Sequence, residues 1–302
     1  MFWLLIFLVA AFYCVVAFFQ YVVFVIFHPV KFFSNVFLDL KNYFKYKKYN
    51  QFTNYGVITM FTAAGTQVFG SGKTLSMIKD VIHVYKKYND KLVYDPDNKI
   101  FKKQHIHVVS NVQINDIPYI KFTNVNQFVD IDKYNFGSMD IVIYVLDESG
   151  AVFNSRQFKN NISSEMLTRL LQSRKNKCCL YMTSQRFQFT DVILRQICCV
   201  VYECSKKWRF VRLKAYNPLD IEYAYNPEII RPKSNVIYFC DDKLYNSYNT
   251  YQLVENLNKK YTPITDQEIL ASYGNNYASI DNLKPNKLTK SYRRGVSIRE
   301  KR

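Results

Sequence analysis

Charge is missing from the start of this sequence. Residues 1–27 contain no acidic or basic side chain, and Gln20 is the only strongly polar residue among them. A helix rises about 1.5 Å per residue, so a segment of this length can cross a hydrocarbon layer of roughly 30 Å. The segment also lacks the basic start and the small-residue cleavage site of a signal peptide. We therefore expect residues 1–27 to form one retained transmembrane helix.

Acidic residues are scarce just after this segment. Five lysines lie between residues 31 and 48, where Asp39 is the only acid. By the positive-inside rule, this asymmetry predicts that the rest of the chain stays on the cytoplasmic side of the membrane. Residues 28–55 alternate Phe and Tyr with Lys, which favours a juxtamembrane helix near the lipid surface.

Cysteine motifs are absent as well. The chain has 7 cysteines, an odd number, and none of them forms a C-x-x-C pair. This pattern argues against a disulfide framework or a zinc ribbon and favours buried, reduced thiols in a cytosolic domain. His105 and His107 share one face of a predicted strand, but no acid or cysteine stands at ligand spacing from them. We therefore expect no zinc site.

Basic residues are abundant elsewhere, with a formal net charge of +17. Such a charge indicates acidic partners, either nucleic acid or anionic lipid. Residues 281–302 are rich in Lys and Arg, contain Pro, Asn, Ser and Gly, and show no hydrophobic periodicity. They predict a disordered basic tail, for which we favour nucleic acid as the partner and keep anionic lipid as the alternative.

The middle of the chain alternates apolar, β-branched runs with segments of helical periodicity. Strands are expected at 57–62, 105–109, 140–146, 178–183 and 198–202. Helices are expected at 75–88 and 165–174. Strands that are apolar throughout and alternate with helices predict an α/β domain, here residues 56–205, with a mostly parallel sheet covered on both faces.

A different pattern follows residue 206. Shorter, more polar runs at 208–213, 221–225 and 236–239 are expected to be antiparallel strands, with Asn-Pro turns between them. We interpret residues 206–280 as a small β-rich appendage.

A phosphate-binding motif stands between the first strand and the first helix of the α/β domain. Its sequence is Phe-Gly-Ser-Gly-Lys-Thr at 69–74. Glycines let backbone N–H groups converge on phosphate oxygens, and a helix N-terminus adds positive potential. The full pattern requires a glycine at position 67, where this chain has Gln67. The predicted nucleotide-binding residues are Gly70, Ser71, Gly72, Lys73, Thr74 and Leu75.

Two acids end an apolar strand some 70 residues later, at Asp147 and Glu148. In a P-loop enzyme, Lys73 contacts the β- and γ-phosphates, while Thr74 and Asp147 hold Mg²⁺. Glu148 is then the base that polarises the attacking water. ATP and Mg²⁺ are the cofactors that this pairing predicts.

Polar residues also end the strand 178–183, and we predict that Gln185 senses the γ-phosphate. None of the 12 arginines precedes residue 151, and five fall in 151–200. The planar guanidinium suits phosphate charge. We name Arg195 as the first candidate for an arginine finger that acts across a subunit boundary, although salt bridges explain most such arginines.

Taken in order, these motifs resemble one known family. GSGKT, the strand ending in Val-Leu-Asp-Glu, the Leu-Leu-Gln-Ser-Arg helix end at 170–174, the Thr-Ser-Gln strand tip and Ile-Leu-Arg at 193–195 are similar to zonular occludens toxin (Zot)-type ATPases. These are filamentous-phage morphogenesis proteins related to the FtsK/HerA motors. Unlike this chain, the best-known members carry their transmembrane helix after the ATPase domain. The resemblance covers residues 55–205 and implies a sheet order of 5-1-4-3-2.

The resemblance implies an ATP hydrolase at the host inner membrane that drives virion assembly and extrusion or transfers single-stranded DNA. Its expected partners are that DNA, the membrane, phage coat proteins and further copies of itself in a ring. Two alternatives remain. One is a motor that packages or transfers double-stranded DNA, and the other is a membrane scaffold that binds nucleotide as a switch with little turnover.

Overall fold

The computed structural model of the protein describes residues 2–46, 51–95, 98, 100–124, 126–134, 136–153, 164–224 and 230–248. The chain divides into two units, residues 1–49 and residues 50–302. The predicted tail, residues 281–302, lies outside the described residues, as do the last part of the predicted appendage and Arg156.

The first unit is helical, but the expectation of one continuous helix over residues 1–27 is wrong. Helix α1 spans Phe2–Ala17 and helix α2 spans Phe19–Phe27, because the backbone leaves helical geometry at Phe18, with φ −112° and ψ 16°. Helix α3, Pro29–Tyr46, begins after a second break. A residue that precedes proline is disfavoured in the helical region, which accounts for this second break at His28.

Within the described residues, no single helix combines enough length and apolar character to cross a membrane. The helices Tyr21–Phe27 and Pro29–Phe44 are long and apolar enough only when they are taken together, and they are bent by 107° at the break between them.

The second unit contains ten strands and seven α-helices within the described residues. They are β1 (Ile58–Ala63), α4 (Lys73–Tyr88), β2 (Lys91–Asp95), β3 (Ile100–Gln104), β4 (Ile106–Ser110), β5 (Ile120–Lys121), α5 (Asn126–Val129), β6 (Ile141–Leu146), α6 (Ser149–Val152), α7 (Ser164–Leu171), β7 (Cys178–Thr183), α8 (Val192–Ile197), β8 (Val200–Lys207), β9 (Phe210–Tyr216), α9 (Pro218–Tyr223), β10 (Ser234–Phe239) and α10 (Asp242–Tyr245).

Eight of these strands form one sheet, in the order β10-β9-β8-β1-β7-β6-β4-β5. The pairs from β8 to β5 are parallel, so the carboxyl ends of these strands meet at one edge, which we call the carboxyl edge. Counting β1, β4, β6, β7 and β8 as the first to fifth strands gives the order 5-1-4-3-2. The predicted mostly parallel sheet and its strand order are therefore confirmed.

The chain after residue 206 continues the same sheet. Strands β9 and β10 pair antiparallel, in succession, beyond β8. The expected strand at 221–225 is wrong, because residues 218–223 form helix α9. Pro218 occupies the first turn of this helix, where its missing N–H costs nothing and its fixed φ favours helix. Ile221 packs from α9 against the core, which explains the apolar residue that suggested a strand.

Both faces of the sheet are buried. Strands β1 and β6 are buried at every position. Alternate residues enter two separate clusters, since Met60 and Tyr144 belong to one and the adjacent Phe61 and Ile143 belong to the other. Helix α4 contributes Ile78 to the second cluster. The sheet is therefore a central layer with helices on both sides, as the apolar strands predict.

The six cysteines from Cys178 onward are free thiols. Burial raises the pKa of Cys178, Cys179, Cys198 and Cys204 to about 12, which keeps these thiols protonated and unreactive. Five of these six cysteines are buried, as predicted, whereas Cys199 is exposed. Among the described residues, no group of three His, Cys, Asp or Glu side chains is arranged to hold a metal ion.

A glycine before β1 provides a test of this packing. Gly56 has φ +83°, and an added Cβ would lie 2.7 Å from the Cα of Arg174, whereas Gly65 has φ +54° and open space around it. Gly56→Ala should lower the free energy of unfolding by more than the roughly 1–3 kcal/mol of backbone strain alone. Gly65→Ala, the matched control, should lower the free energy of unfolding only by the cost of backbone strain. Urea unfolding of the two variants measures the difference, and equal losses would show that the contact with Arg174 relaxes.

Candidate nucleotide-binding site

The loop between β1 and α4 begins at the carboxyl edge. Gly70 and Gly72 have φ of +66° and +86°, in the left-handed region that favours glycine. A Cβ on Gly72 would also lie 3.2 Å from the side chain of Val211 in β9. This position therefore favours glycine both for its backbone conformation and for the space around it. Gln67 adopts no positive φ, and its side-chain amide donates to the carbonyl of Lys206 at 3.3 Å. This fold therefore does not require the glycine that the full pattern has at position 67.

Backbone donors are concentrated in this loop. Within the described chain, the N–H groups of Gly70, Ser71, Gly72, Lys73 and Thr74 donate to no protein acceptor, and Ser76 is the first residue whose N–H bonds back into the loop, to Gly72. A run of free N–H groups at a helix N-terminus is the arrangement that binds phosphate. Because the loop supplies both these donors and the space at Gly70, the residues present fit a polyphosphate.

Lys73 is the first residue of α4 and lies across the loop. Its ammonium group donates to the carbonyl of Val68 at 2.7 Å and lies 3.5 Å from the hydroxyl of Ser71. Burial lowers its pKa from the ordinary value, and the nearby carboxylate of Asp147 acts in the opposite direction. A half-buried ammonium group held this way is a strong partner for phosphate oxygens, because little water competes for it.

Asp147 follows the last residue of β6, and its carboxylate is shared by two hydroxyls. The hydroxyl of Thr74 donates to its Oδ1 at 2.8 Å, and the hydroxyl of Thr183 donates to the same oxygen. Asp147 is buried, and this burial raises the pKa of its carboxyl, opposed by both hydrogen bonds. A threonine hydroxyl next to a carboxylate forms a hard-oxygen pair that suits Mg²⁺.

Asn111 and Thr183 complete this cluster. The sequence motifs include Thr183 only as part of the Thr-Ser-Gln strand tip and do not single out Asn111. The side chain of Asn111, just beyond β4, forms two hydrogen bonds to the backbone of Asp147, of 2.8 and 3.1 Å. Thr183, the last residue of β7, also accepts a hydrogen bond from the N–H of Glu148 at 3.0 Å. Their signal was present, since each is a polar residue at the end of an apolar strand on the carboxyl edge.

Glu148 adopts φ +53°, which is uncommon for a residue other than glycine. Its side chain is exposed, and in the described part of the chain its carboxylate has no hydrogen-bond or ion-pair partner. A strained backbone that turns a free carboxylate outward beside a buried one suits a base that contacts water.

The remaining predicted residues lie at different places. Leu75 has a buried side chain in the core, so only its backbone can face a nucleotide. Gln185 follows β7 at the carboxyl edge and is half-buried. Arg195 forms an ion pair with Glu222 of α9 in the same chain. Arg186 is the arginine whose charge acts on Lys73, where it lowers the pKa of the ammonium group.

The strand order 5-1-4-3-2, the glycine loop with its free N–H groups and the carboxylate at the end of the third strand together define the fold class of the P-loop NTPases. The sheet is of the type with an additional strand between the phosphate-loop strand and the strand that ends in Asp147. No known family profile matches the sequence, and no curated protein matches it either.

Several solved structures are similar to this chain. The N-terminal domain of zonular occludens toxin from Neisseria meningitidis is 18% identical, with a TM-score of 0.43, over 64% of this chain and 98% of that domain. The genome packaging NTPase B204 from Sulfolobus turreted icosahedral virus 2, in complex with ATP-gammaS, is 12% identical, with a TM-score of 0.34, over 63% and 93%. ATPases 2 and 3 of EssC from Geobacillus thermodenitrificans are 13% identical, with a TM-score of 0.35, over 77% and 46%.

A zonular occludens toxin domain is thus among the similar structures, in agreement with the family that the sequence motifs resemble. Each of these three TM-scores is below 0.5, and the class of the protein therefore rests on its own strand order and site geometry.

Asp147→Asn tests the assignment of the buried carboxylate. The pKa of Asp147 is raised above its ordinary value of 3.8, so the native state binds this proton more tightly than the unfolded state. As pH rises above the ordinary pKa, the unfolded state releases this proton more readily than the native state does, so the native state loses stability relative to it. At pH 7 we expect the variant to unfold at a higher temperature than the wild type, with an advantage that disappears below about pH 4. We also expect its Mg²⁺-dependent nucleotide binding to fall.

Calorimetry at the two pH values and titration with a fluorescent ATP analogue, with and without Mg²⁺, measure these effects. A variant that is less stable than the wild type at pH 7, or that still binds nucleotide with full Mg²⁺ dependence, would contradict the assignment. Asp191→Asn is the control for calorimetry, because Asp191 is a buried acid whose carboxylate caps α8 instead.

Proposed function

We propose that this chain is a membrane-associated ATP hydrolase that drives assembly and extrusion of a filamentous-phage virion, or transfer of its single-stranded DNA, at the host inner membrane. One observation carries the hydrolase part. The hydroxyl of Thr74, from the phosphate loop, and that of Thr183, from a neighbouring strand, meet on the buried carboxylate of Asp147. The sequence motifs and the apolar N-terminal segment support the phage and membrane parts.

Each residue of the site has a task in this proposal. The N–H groups of residues 70–74 and the ammonium group of Lys73 bind the phosphates. Thr74 and Asp147 hold Mg²⁺, which, when bound, shields the phosphate charge against which a nucleophile must approach. Glu148 orients the attacking water and accepts its proton, because its carboxylate is exposed and free of protein partners.

Gln185 and an arginine complete the proposed chemistry. Gln185, beyond the tip of β7, is proposed to contact the γ-phosphate. Arg195 stays the prediction for a finger that reaches a neighbouring subunit in a ring, and in that role it must exchange its partner Glu222 for phosphate. Arg186, whose charge already acts on Lys73, supplies positive charge from within the same chain.

Substitutions of Lys73 and Glu148 separate binding from hydrolysis. Lys73→Ala should abolish ATP hydrolysis and virion release, since the phosphates lose their buried cation. Glu148→Gln should keep nucleotide binding and lower turnover at least about 10²-fold, the scale expected for the loss of a general base. Phosphate release and equilibrium nucleotide binding measure the two effects. Glu165→Gln, an exposed acid on α7, is the matched control.

Wild-type turnover in Glu148→Gln would remove the base from the proposal, whereas nucleotide binding with little turnover in the wild-type protein itself would favour the scaffold. Hydrolysis stimulated by duplex DNA rather than by single strands would favour the double-stranded DNA motor. Hydrolysis measured with each DNA form, and with no DNA, therefore distinguishes the three functions.

The proposed membrane location has its own test. Deletion of residues 1–27 should leave a soluble protein that still binds nucleotide, because the sheet begins at Ile58, in the second unit. In spheroplasts, an epitope tag after Arg302 should resist external protease. Digestion of the tag from outside would contradict the cytoplasmic placement, and loss of nucleotide binding in the truncated protein would contradict the independence of the two units.

A further inference from the structure

Three aromatic side chains lie exposed together at the carboxyl edge, where β8 turns into β9. Trp208, in the turn, is 72% exposed, and Phe210 and Phe239, which are paired directly across β9 and β10, are 48% and 51% exposed. The Trp208 ring centroid lies 5.9 Å from that of Phe210 and 6.0 Å from that of Phe239, and the two phenyl rings are 5.4 Å apart. The three rings therefore form one triangle on the surface.

Hydrogen bonds hold the turn that carries this triangle. Trp208 adopts φ +55°, an uncommon conformation for a bulky residue. The turn is tied to β10, because the N–H of Cys240 donates to the carbonyl of Arg209 at 2.8 Å and the guanidinium of Arg209 donates to the carbonyl of Cys240 at 3.2 Å. A strained turn that exposes a tryptophan and is held to its neighbouring strand by two hydrogen bonds favours a binding role over a packing role.

Positive charge runs along the same face of the sheet. Strand pairing puts Lys207 beside Phe210, and puts Arg212 and then Lys214 farther along β9 on the side that Phe210 occupies, with Glu203 of β8 opposite Lys214. Within the described residues, none of these three cations is in an ion pair with a carboxylate, and the guanidinium of Arg212 donates to the side chain of Asn235 instead. We call the surface made by Trp208, Lys207, Phe210, Arg212, Lys214 and Phe239 the aromatic-basic face.

We propose that the aromatic-basic face binds single-stranded nucleic acid, with bases stacked on the rings and phosphates on the line of cations. Stacking platforms with adjacent positive charge are the common way in which proteins hold single strands. This proposal rests on the proposed function in one respect, since it gives the transferred strand a site on the motor itself.

Other occupants fit the charges less well. A second copy of this chain docked face to face would bring Lys207, Arg212 and Lys214 against the same cations of its partner, and like charges repel. A lipid surface would accept the rings and the cations but offers no planar groups on which the rings can stack. A single strand has both an aromatic base and a phosphate in every nucleotide, so it complements the whole face.

The reverse side of the same strands contacts the phosphate loop. Val211, between Phe210 and Arg212, is the residue against which a Cβ at Gly72 would press, and the carbonyl of Lys206 accepts the hydrogen bond of Gln67. The hydroxyl of Tyr238, next to Phe239, lies 2.8 Å from that of Ser76 in α4. One three-stranded segment thus separates the aromatic-basic face from the nucleotide site, and we expect a bound strand to stimulate hydrolysis.

The two tryptophans of the chain, Trp3 and Trp208, allow a local test. In the full-length Trp3→Phe variant, kept in detergent, Trp208 is the sole tryptophan. Titration with oligothymidylate should quench its fluorescence. This signal reports the face itself, whereas the basic tail can attract an oligonucleotide by charge alone. Anisotropy of a labelled oligothymidylate then measures the affinity of each variant.

Phe210→Ala and Phe239→Ala should each weaken binding about 10-fold, in line with the loss of one stacked base. Phe210→Tyr, which keeps the ring, should bind as the parent does. Arg212→Ala should reduce the log–log salt slope by about 0.7, the value for one phosphate contact on a single strand. Tyr223→Ala, an exposed aromatic on α9, is the matched control and should change neither affinity nor slope.

Three outcomes would overturn the proposal: no quenching of Trp208, equal affinity in Phe210→Ala and its parent, or a Trp208 response to anionic vesicles in place of oligothymidylate. A dimer that dissociates in Phe210→Ala would likewise assign the face to a second copy. Lys73→Ala should retain full oligothymidylate binding. If the wild-type protein hydrolyses ATP but oligothymidylate does not quench Trp208, only the proposal for the aromatic-basic face is refuted. If oligothymidylate quenches Trp208 but the wild-type protein does not hydrolyse ATP, the face is supported and the proposed function is refuted.

Discussion

A carboxylate that is buried in a protein interior costs free energy unless hydrogen bonds and charges are arranged around it. Asp147 is such a group, and its surroundings connect four parts of the chain. Thr74 comes from the phosphate loop, Thr183 from β7, Asn111 from the end of β4, and Asp147 itself from β6. The parallel sheet makes this possible because the carboxyl ends of neighbouring strands meet at one edge. Satisfying one acid therefore fixes the phosphate loop relative to three strands.

The outer strand β9 also lies against the phosphate loop at the carboxyl edge. Gly72 must lack a side chain partly because β9 lies against it, at Val211. The segment after residue 206 is therefore part of the wall of the nucleotide site, and its contacts with the phosphate loop and α4 involve backbone, hydroxyl and apolar groups. The exposed side of β8–β10 is therefore connected to the phosphate loop through packed strands of one sheet.

The two arginines considered for catalysis have different environments. Arg195 is largely buried, ion-paired with Glu222 from α9, and its Nε has no hydrogen-bond partner within the described residues. A buried pair of this kind strongly resists the loss of one partner. Arg186 follows the strand tip next to the phosphate loop and acts electrostatically on Lys73. The structure thus pairs Arg195 with Glu222 between α8 and α9 and leaves Arg186 close enough to Lys73 to lower the pKa of its ammonium group.

The sequence by itself determined the fold class and predicted most of the residues that the structure gathers around Asp147, because apolar strands, a glycine loop and an acidic strand end are local patterns with few alternatives. Only the tertiary structure showed that Asn111 and Thr183 serve Asp147, that β9 and β10 extend the main sheet and that residues 218–223 are helical. It also showed the breaks in the N-terminal helix and the triangle of Trp208, Phe210 and Phe239. These features depend on which strands become neighbours, and pairing between residues far apart in the chain leaves little trace in local composition or periodicity.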